Sequence, residues 1–267
     1  MLAAGYLCRP VFAVWIVLWV GWLVAIFWLS SPHRCWAGRH AIAIAVLVAV
    51  TAAGWMFRNQ QVIGKAVWAT THGGYTLLLG NNPYFYDYLE SHSFAEAAFW
   101  GDAWDAEPFH ADWAERQAEA GHARLQESIG KDPELAADRL AGELAKEEIR
   151  RRPGMFLYAS LVRVGRLWSP VPRVGDRVGL VSWAIGVFYG ILGIGVFAGV
   201  WRLRHHLLCP DWAPLFLLLL AVTAVHAVYW SNLRMRAPVM PMVAGIAAVG
   251  FLGNRKSLPN IRNSRRC

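Results

Sequence analysis

Val11-Phe-Ala-Val-Trp-Ile-Val-Leu-Trp-Val-Gly-Trp-Leu-Val-Ala-Ile-Phe-Trp-Leu29 contains no charged residue and carries four tryptophans. About 20 apolar residues in a helix cross the roughly 30 Å of bilayer hydrocarbon. This stretch therefore reads as a membrane span. It is too long for the apolar core of a signal peptide and lacks a small-residue cleavage site. Working outward, Ala41 to Phe57 is a shorter uncharged run, and Val178 to Val200 and Ala213 to Trp230 are two more. Ala237 to Leu252 is short and has Pro238 and Pro241 near its start. Prolines are tolerated in spans where neighbouring groups satisfy the freed carbonyls. The expectation is a mainly α membrane protein with about five transmembrane helices.

Charge is distributed accordingly. Residues 58–177 hold 17 of the 18 acids and 14 of the 26 basic residues, while the rest of the chain holds 12 basic residues and one acid, Asp211. The net charge of +8 thus belongs to loops and tails beside apolar stretches. A nucleic-acid binder would spread its Lys and Arg over a folded surface, so nucleic acid is not an expected partner. Lys and Arg collect on the cytoplasmic side of membranes. With the C-terminus inside, the cytoplasmic segments hold Arg34, Arg39, Arg202, Arg204, Arg255, Lys256, Arg262, Arg265 and Arg266. The short external ones hold Arg9, Arg234 and Arg236. The resulting domain plan has four parts. Two spans joined by a cytoplasmic loop occupy 1–57, and an extracytoplasmic, mostly helical domain occupies 58–177, between spans 2 and 3. Three spans occupy 178–253, and a basic cytoplasmic tail occupies 254–267.

Within the polar segment, Val67 to Pro83 reads as short β-prone runs broken by glycines and an Asn-Asn-Pro turn. Glycines there either let backbone approach a ligand or simply make turns. A helix is expected over 111–127, with Ala114, Ala118, Gly121, Leu125 and Ile129 on one face. Asp132-Pro133-Glu134 starts another, lined inside by Ala137, Leu140, Ala141 and Leu144, with Arg150, Arg151 and Arg152 at its negative end and Pro153-Gly154 breaking it. A third, Met155 to Trp168, sets Leu157, Leu161, Val164 and Trp168 on one side, with Arg163 and Arg166 elsewhere. It reads equally as a packed helix or as one resting on lipid headgroups.

Candidate chemistry is sparse. His72, His92, His110 and His122 are scattered, and the four cysteines, Cys8, Cys35, Cys209 and Cys267, show no paired ligand spacing, so neither a metal nor another cofactor is expected. No GxGxxG or P-loop spacing occurs. His226 lies inside a span and reads as a cavity-facing or a structural histidine. Asp102, Asp105 and Glu107 lie among tryptophans, as in a sugar-binding loop or an ordinary solvated one. Tyr229-Trp-Ser-Asn-Leu-Arg-Met-Arg-Ala-Pro-Val-Met-Pro241 places Arg234 and Arg236 on an external turn. They read as a phosphate grip or as snorkelling cations.

That Arg-x-Arg-x-Pro-x-x-Pro turn entering a final span resembles the C-terminal end of GT-C membrane glycosyltransferases, the dolichyl-phosphate-mannose mannosyltransferase and aminoarabinose-transferase-like proteins of glycosyltransferase family 39 type. Arg58-Asn59, Gly64, Thr70-Thr-His-Gly-Gly-Tyr75, Leu79-Gly-Asn-Asn-Pro83 and Arg166-Leu-Trp-Ser-Pro170 resemble the extracytoplasmic segment of bacterial members. The resemblance implies a bacterial inner-membrane protein that transfers a sugar from a polyprenyl-phosphate donor outside the cytoplasm. It implies donor-phosphate contacts from Arg234 and Arg236, and a cavity shaped by Gly73, Gly74, Gly80, Asn81 and Asn82. The family's catalytic acid lies in a first external loop. Met1 to Pro10 and the segment joining the first two spans contain no acid. The catalytic residue is therefore unassigned, and the expectation is a C-terminal portion completed by a longer gene product or a second chain. The alternative is a non-enzymatic membrane protein that binds a lipid-linked glycan or a protein partner.

Overall fold

The computed structural model describes residues 2–29, 33–100, 104–127, 133–171 and 180–253. Every regular element among the described residues is helical: α1 Leu2–Cys8, α2 Val11–Leu29, α3 Arg34–Ile63, α4 Gly73–Gly80, α5 Pro83–Glu90, α6 Glu107–Glu127, α7 Pro133–Arg151, α8 Pro153–Trp168, α9 Leu180–Leu203, α10 Ala213–Val228 and α11 Met240–Leu252. A π turn, Glu96–Trp100, and a 3-10 turn, Leu233–Val239, complete the set.

Among the described residues, four helical runs are long and apolar enough to cross a membrane: α2, α3, α9 and the run Leu233–Leu252 that joins the 3-10 turn to α11. The expected fourth span, Ala213 to Trp230, is the short one. Its 16-residue helix stops at Val228 and extends about 24 Å. Its last carbonyls, which have no partner within the helix, are taken by side chains. Arg163 Nε donates to Ala227 O at 2.8 Å, and Asn81 Nδ2 donates to Val228 O at 3.0 Å.

The chain divides into two units, one of Met1–Arg58, Leu180–Val225 and Arg236–Cys267, the other of Asn59–Gly179 and His226–Met235. In the first, Ile16 and Leu23 of α2 bury against Ala37, Ala41 and Ile44 of α3. α9 and α11 meet through glycines. A Cβ at Gly199 would collide with the main-chain oxygen of Ile246, and one at Gly250 with that of Gly195. Gly195 and Gly199 form the small-xxx-small spacing that lets membrane helices approach closely, where dispersion and weak polar contacts replace the hydrophobic effect. Arg202 then donates to Val249 O and Gly253 O, at 3.0 and 2.6 Å. It is a cation at the negative end of α11.

The second unit corrects two sequence expectations and decides a third. Val67 to Pro83 contains no strand, and Gly73–Gly80 is helical. Gly74 lets the main chain of α7 in so closely that a Cβ would strike Asp138 O. The Asp138 carboxylate accepts the Tyr75 N–H at 2.9 Å, satisfying a first-turn donor. Tertiary packing thus overrides two residues of poor helix propensity. On α6 the buried side chains are Phe109 and Trp113, while Ala114 and Ala118 are exposed. Ile129 and the side chains of Gly121 and Leu125 lie outside the description. On α8 the grouping expected from the sequence holds, with Leu157 and Leu161 on one side and Arg163 and Arg166 on another. Ala159, Val162, Arg163, Arg166 and Leu167 are buried, and Leu157 and Leu161 are exposed.

Other elements agree with the sequence. α7 runs from Pro133 to Arg151, with Ala141 buried and Ala137, Leu140 and Leu144 packed beside it. Asp132 lies outside the described residues. α5 starts from Asn82, whose side chain accepts the Phe85 N–H at 2.8 Å, with Pro83 at the first helical position.

Candidate functional site

Arg163 organises the second unit. Its side chain is 0% exposed. Its guanidinium donates to Ala227 O, to Gly80 O, to Asn81 Oδ1 at 3.2 Å and to Ser160 Oγ at 3.0 Å. Gly80 closes α4 and Ala227 lies in the last turn of α10, so the cation sits at two helix C-termini. The partial negative charges there stabilise it. Burial nonetheless lowers the Arg163 pKa to about 10. Tyr86 donates its hydroxyl to Asn81 Oδ1 at 3.0 Å. Burial pushes that phenol up to about 12, with Arg163 opposing the shift.

This network fixes the segment that follows α10, because the Trp230 N–H also bonds Thr76 O at 3.2 Å. The Trp230–Arg234 stretch forms one wall of a cavity of about 520 Å³. Arg166, Ser169 and Val171 at the end of α8 form a second wall, and Ala98 and Trp104 a third. The volume is that of an ordinary small-molecule site. Arg166, 8% exposed, donates Nε to Ala97 O at 2.9 Å. Its guanidinium lies 5.0 Å from the Phe85 ring and 5.6 Å from the Trp230 ring, within the range of cation–π attraction. Trp104 and Trp230 lie 5.3 Å apart and both contact Phe85. Ser231 is 1% exposed, and its hydroxyl has no hydrogen-bond partner among the described residues.

The structure separates the residues that the resemblance grouped. Arg234 is exposed and lines the cavity, and its N–H bonds Asn232 Oδ1 at 3.0 Å. Arg236 is buried, with its guanidinium 4.3 Å from the Tyr189 ring. Gly74 serves helix packing. Gly73, at the start of α4, faces open space. Gly80 lies under the cavity wall, where a Cβ would come within 3.2 Å of Trp230 N and 3.3 Å of Arg163 Nη1. Asn81 and Asn82 are buried and use their amides on backbone, Asn82 toward Leu78 O and Leu79 O at 3.0 and 3.1 Å. His226 is buried, with Nδ1 3.4 Å from Trp230 O. Asp105 accepts the Glu107 N–H at 3.0 Å and so caps α6, whereas Asp102 lies outside the described residues.

Arg163 and Arg166 are absent from the sequence-level candidates. The available signal was the 159, 162, 163, 166, 167 stripe, a helical face with two arginines in a helix without an acid. A second, smaller cavity of about 270 Å³ holds Asp112 and Arg116, paired at 2.9 Å, with Glu147, Glu148 and Arg151 nearby. No group of three or more His, Cys, Asp or Glu suited to a metal occurs among the described residues. No protein-family model, no curated protein and no solved structure matches this chain.

Proposed function

We propose that this chain is a GT-C-type, glycosyltransferase-like membrane protein that binds a polyprenyl-phosphate-linked sugar in the Arg166–Arg234 cavity. The observation that carries this is the convergence of two arginines and two tryptophans on one cavity of about 520 Å³. Guanidinium groups match phosphate geometry through paired donors. Indole faces suit the apolar face of a sugar ring. When the bond between sugar and phosphate oxygen breaks, negative charge grows on the departing lipid phosphate, and fixed cations are most effective where charge develops. In this reading Arg234 and Arg166 contact the phosphate, while Gly80 and Asn81 hold the wall behind Trp230. Arg236 acts through its packing on Tyr189. The arginine asymmetry of the loops supports a 58–177 segment outside the cytoplasm, and in this reading the membrane is a bacterial inner membrane.

The absence of a carboxylate from the cavity lining among the described residues favours one second reading, a binding protein that holds the lipid-linked sugar without transferring it. The test uses the full chain in nanodiscs and measures binding of a polyprenyl phosphate against the matching neutral polyprenol by tryptophan quenching. Tighter binding of the phosphate is expected, together with at least about a tenfold loss, near 1.4 kcal/mol, in Arg234→Ala and in Arg166→Gln. Equal binding of phosphate and alcohol would sink the proposal. Release of polyprenyl phosphate from a glycosylated donor in the presence of acceptor separates transfer from binding alone.

A further inference from the structure

α8 is apolar on both faces, and only one of them is covered. The inner stripe of Ala159, Val162 and Leu167 is fully buried. The outer stripe begins with Leu157 at 65% exposure and Leu161 at 61% and continues toward Val164 and Trp168. Phe94, 41% exposed, extends the patch: its ring lies 6.4 Å from that of Tyr158 and 3.6 Å from where a Gly165 Cβ would be. Single exposed leucines are common on soluble surfaces, but a continuous stripe with an adjoining aromatic marks a contact surface.

We infer that this outer face of α8 lies on the bilayer, with Leu157, Leu161 and Phe94 inserted at the headgroup–acyl boundary. Four observations select lipid as the occupant. Eleven residues separate Trp168 from Leu180, where the α9 candidate span begins. Even fully extended, that connection reaches only about 40 Å, so α8 is tethered close to a membrane. α8 contains no acidic residue, and its two arginines point inward, so nothing charged lies on the outer stripe. Arg150 and Arg151, exposed just before it, suit anionic headgroups. Trp168 ends the stripe with the residue type that favours the membrane interface. The inference is independent of what the cavity binds.

The test is site-directed spin labelling of the full chain in proteoliposomes of phosphatidylethanolamine and phosphatidylglycerol. The four native cysteines are first replaced by serine or alanine. Labels go on Leu157→Cys and Leu161→Cys, with Glu143→Cys, exposed on α7, as the water reference and Phe197→Cys, 75% exposed on α9, as the lipid reference. All four are surface positions, so folding is preserved. At 157 and 161, accessibility to oxygen should match Phe197→Cys. Accessibility to a nickel chelate should fall severalfold below Glu143→Cys, at a depth of about 5–10 Å. High nickel accessibility would overturn the inference. So would low accessibility to both probes, because that pattern means the face is covered by protein, either a second copy or another segment.

Discussion

Arg163 is the largest fully buried side chain among the described residues, and its four acceptors come from α4, α8 and the end of α10. Replacing it by methionine keeps the volume but strands buried carbonyls at Gly80 and Ala227. A stranded buried group costs about 1–3 kcal/mol, so Arg163→Met should lose on the order of 3 kcal/mol in thermal unfolding of the detergent-solubilised chain. Arg139→Met, at an exposed position, should stay within about 0.5 kcal/mol. The same cluster predicts two opposite alkaline effects. The folded chain keeps the Tyr86 proton up to about pH 12, while an unfolded tyrosine releases it near 10. Tyr86 therefore contributes stability that is complete below about pH 10 and drains away between 10 and 12. Arg163 has the reverse sign: above about pH 10 the folded chain releases a proton that the unfolded chain still holds, and stability rises with pH. Tyr86→Phe should flatten the alkaline fall in unfolding midpoint, and Arg163→Met should steepen it; a shift of the same sign in both would refute the assignment. None of this was legible in the sequence. The acceptors of Arg163 lie 64 and 83 residues away at Ala227 and Gly80, and only the tertiary fold turns an arginine into a cap for two helices.

Helices reveal themselves in sequence to the extent that their neighbours are not needed. α2 begins and ends at Val11 and Leu29, where its apolar run does, because lipid asks only for length and apolar composition. α4 is the opposite case, since three glycines and a threonine read as turn and strand until α7 arrives to supply Asp138 as a cap and a backbone to pack against. α9 and α11 lie between these extremes. Their apolarity was evident, while the side on which they meet depends on which glycines face inward. Gly195 and Gly199 do, whereas Gly190 and Gly193 face open space. Gly199→Leu should force the pair apart and lose about 1–3 kcal/mol, read as an earlier midpoint in sodium dodecyl sulfate titration of the purified chain. Gly190→Leu, on the open side of the same helix, should behave like the parent. Equal midpoints for the two variants would show that the glycine contact does not hold the pair together.

For the molecule as a whole, the distribution of charge was readable before any helix was placed. The acids fall almost entirely within 58–177, and the second unit comprises Asn59–Gly179 together with His226–Met235. That last segment could not be assigned from sequence. It follows an apolar helix without a break in composition, and it is joined to the second unit by three hydrogen bonds, to Arg163, Asn81 and Thr76. It also carries Arg234, so the cavity depends on a piece of chain that follows the apolar α9 and most of α10. Loop arginines supply the remaining question, the side of the membrane on which the cavity opens. Nine basic residues against three favour a cytoplasmic position for the α9–α10 connection and the C-terminal tail. In the cysteine-free chain, Glu143→Cys should react with a membrane-impermeant maleimide in cells with the outer envelope opened. Arg204→Cys, in the α9–α10 connection, should react only after the inner membrane is permeabilised. Both positions are exposed, so a difference between them reports the membrane rather than burial. If the order is reversed, the cavity faces the cytoplasm, where a donor exposed on the outer leaflet cannot reach it, and the transferase reading falls with the orientation.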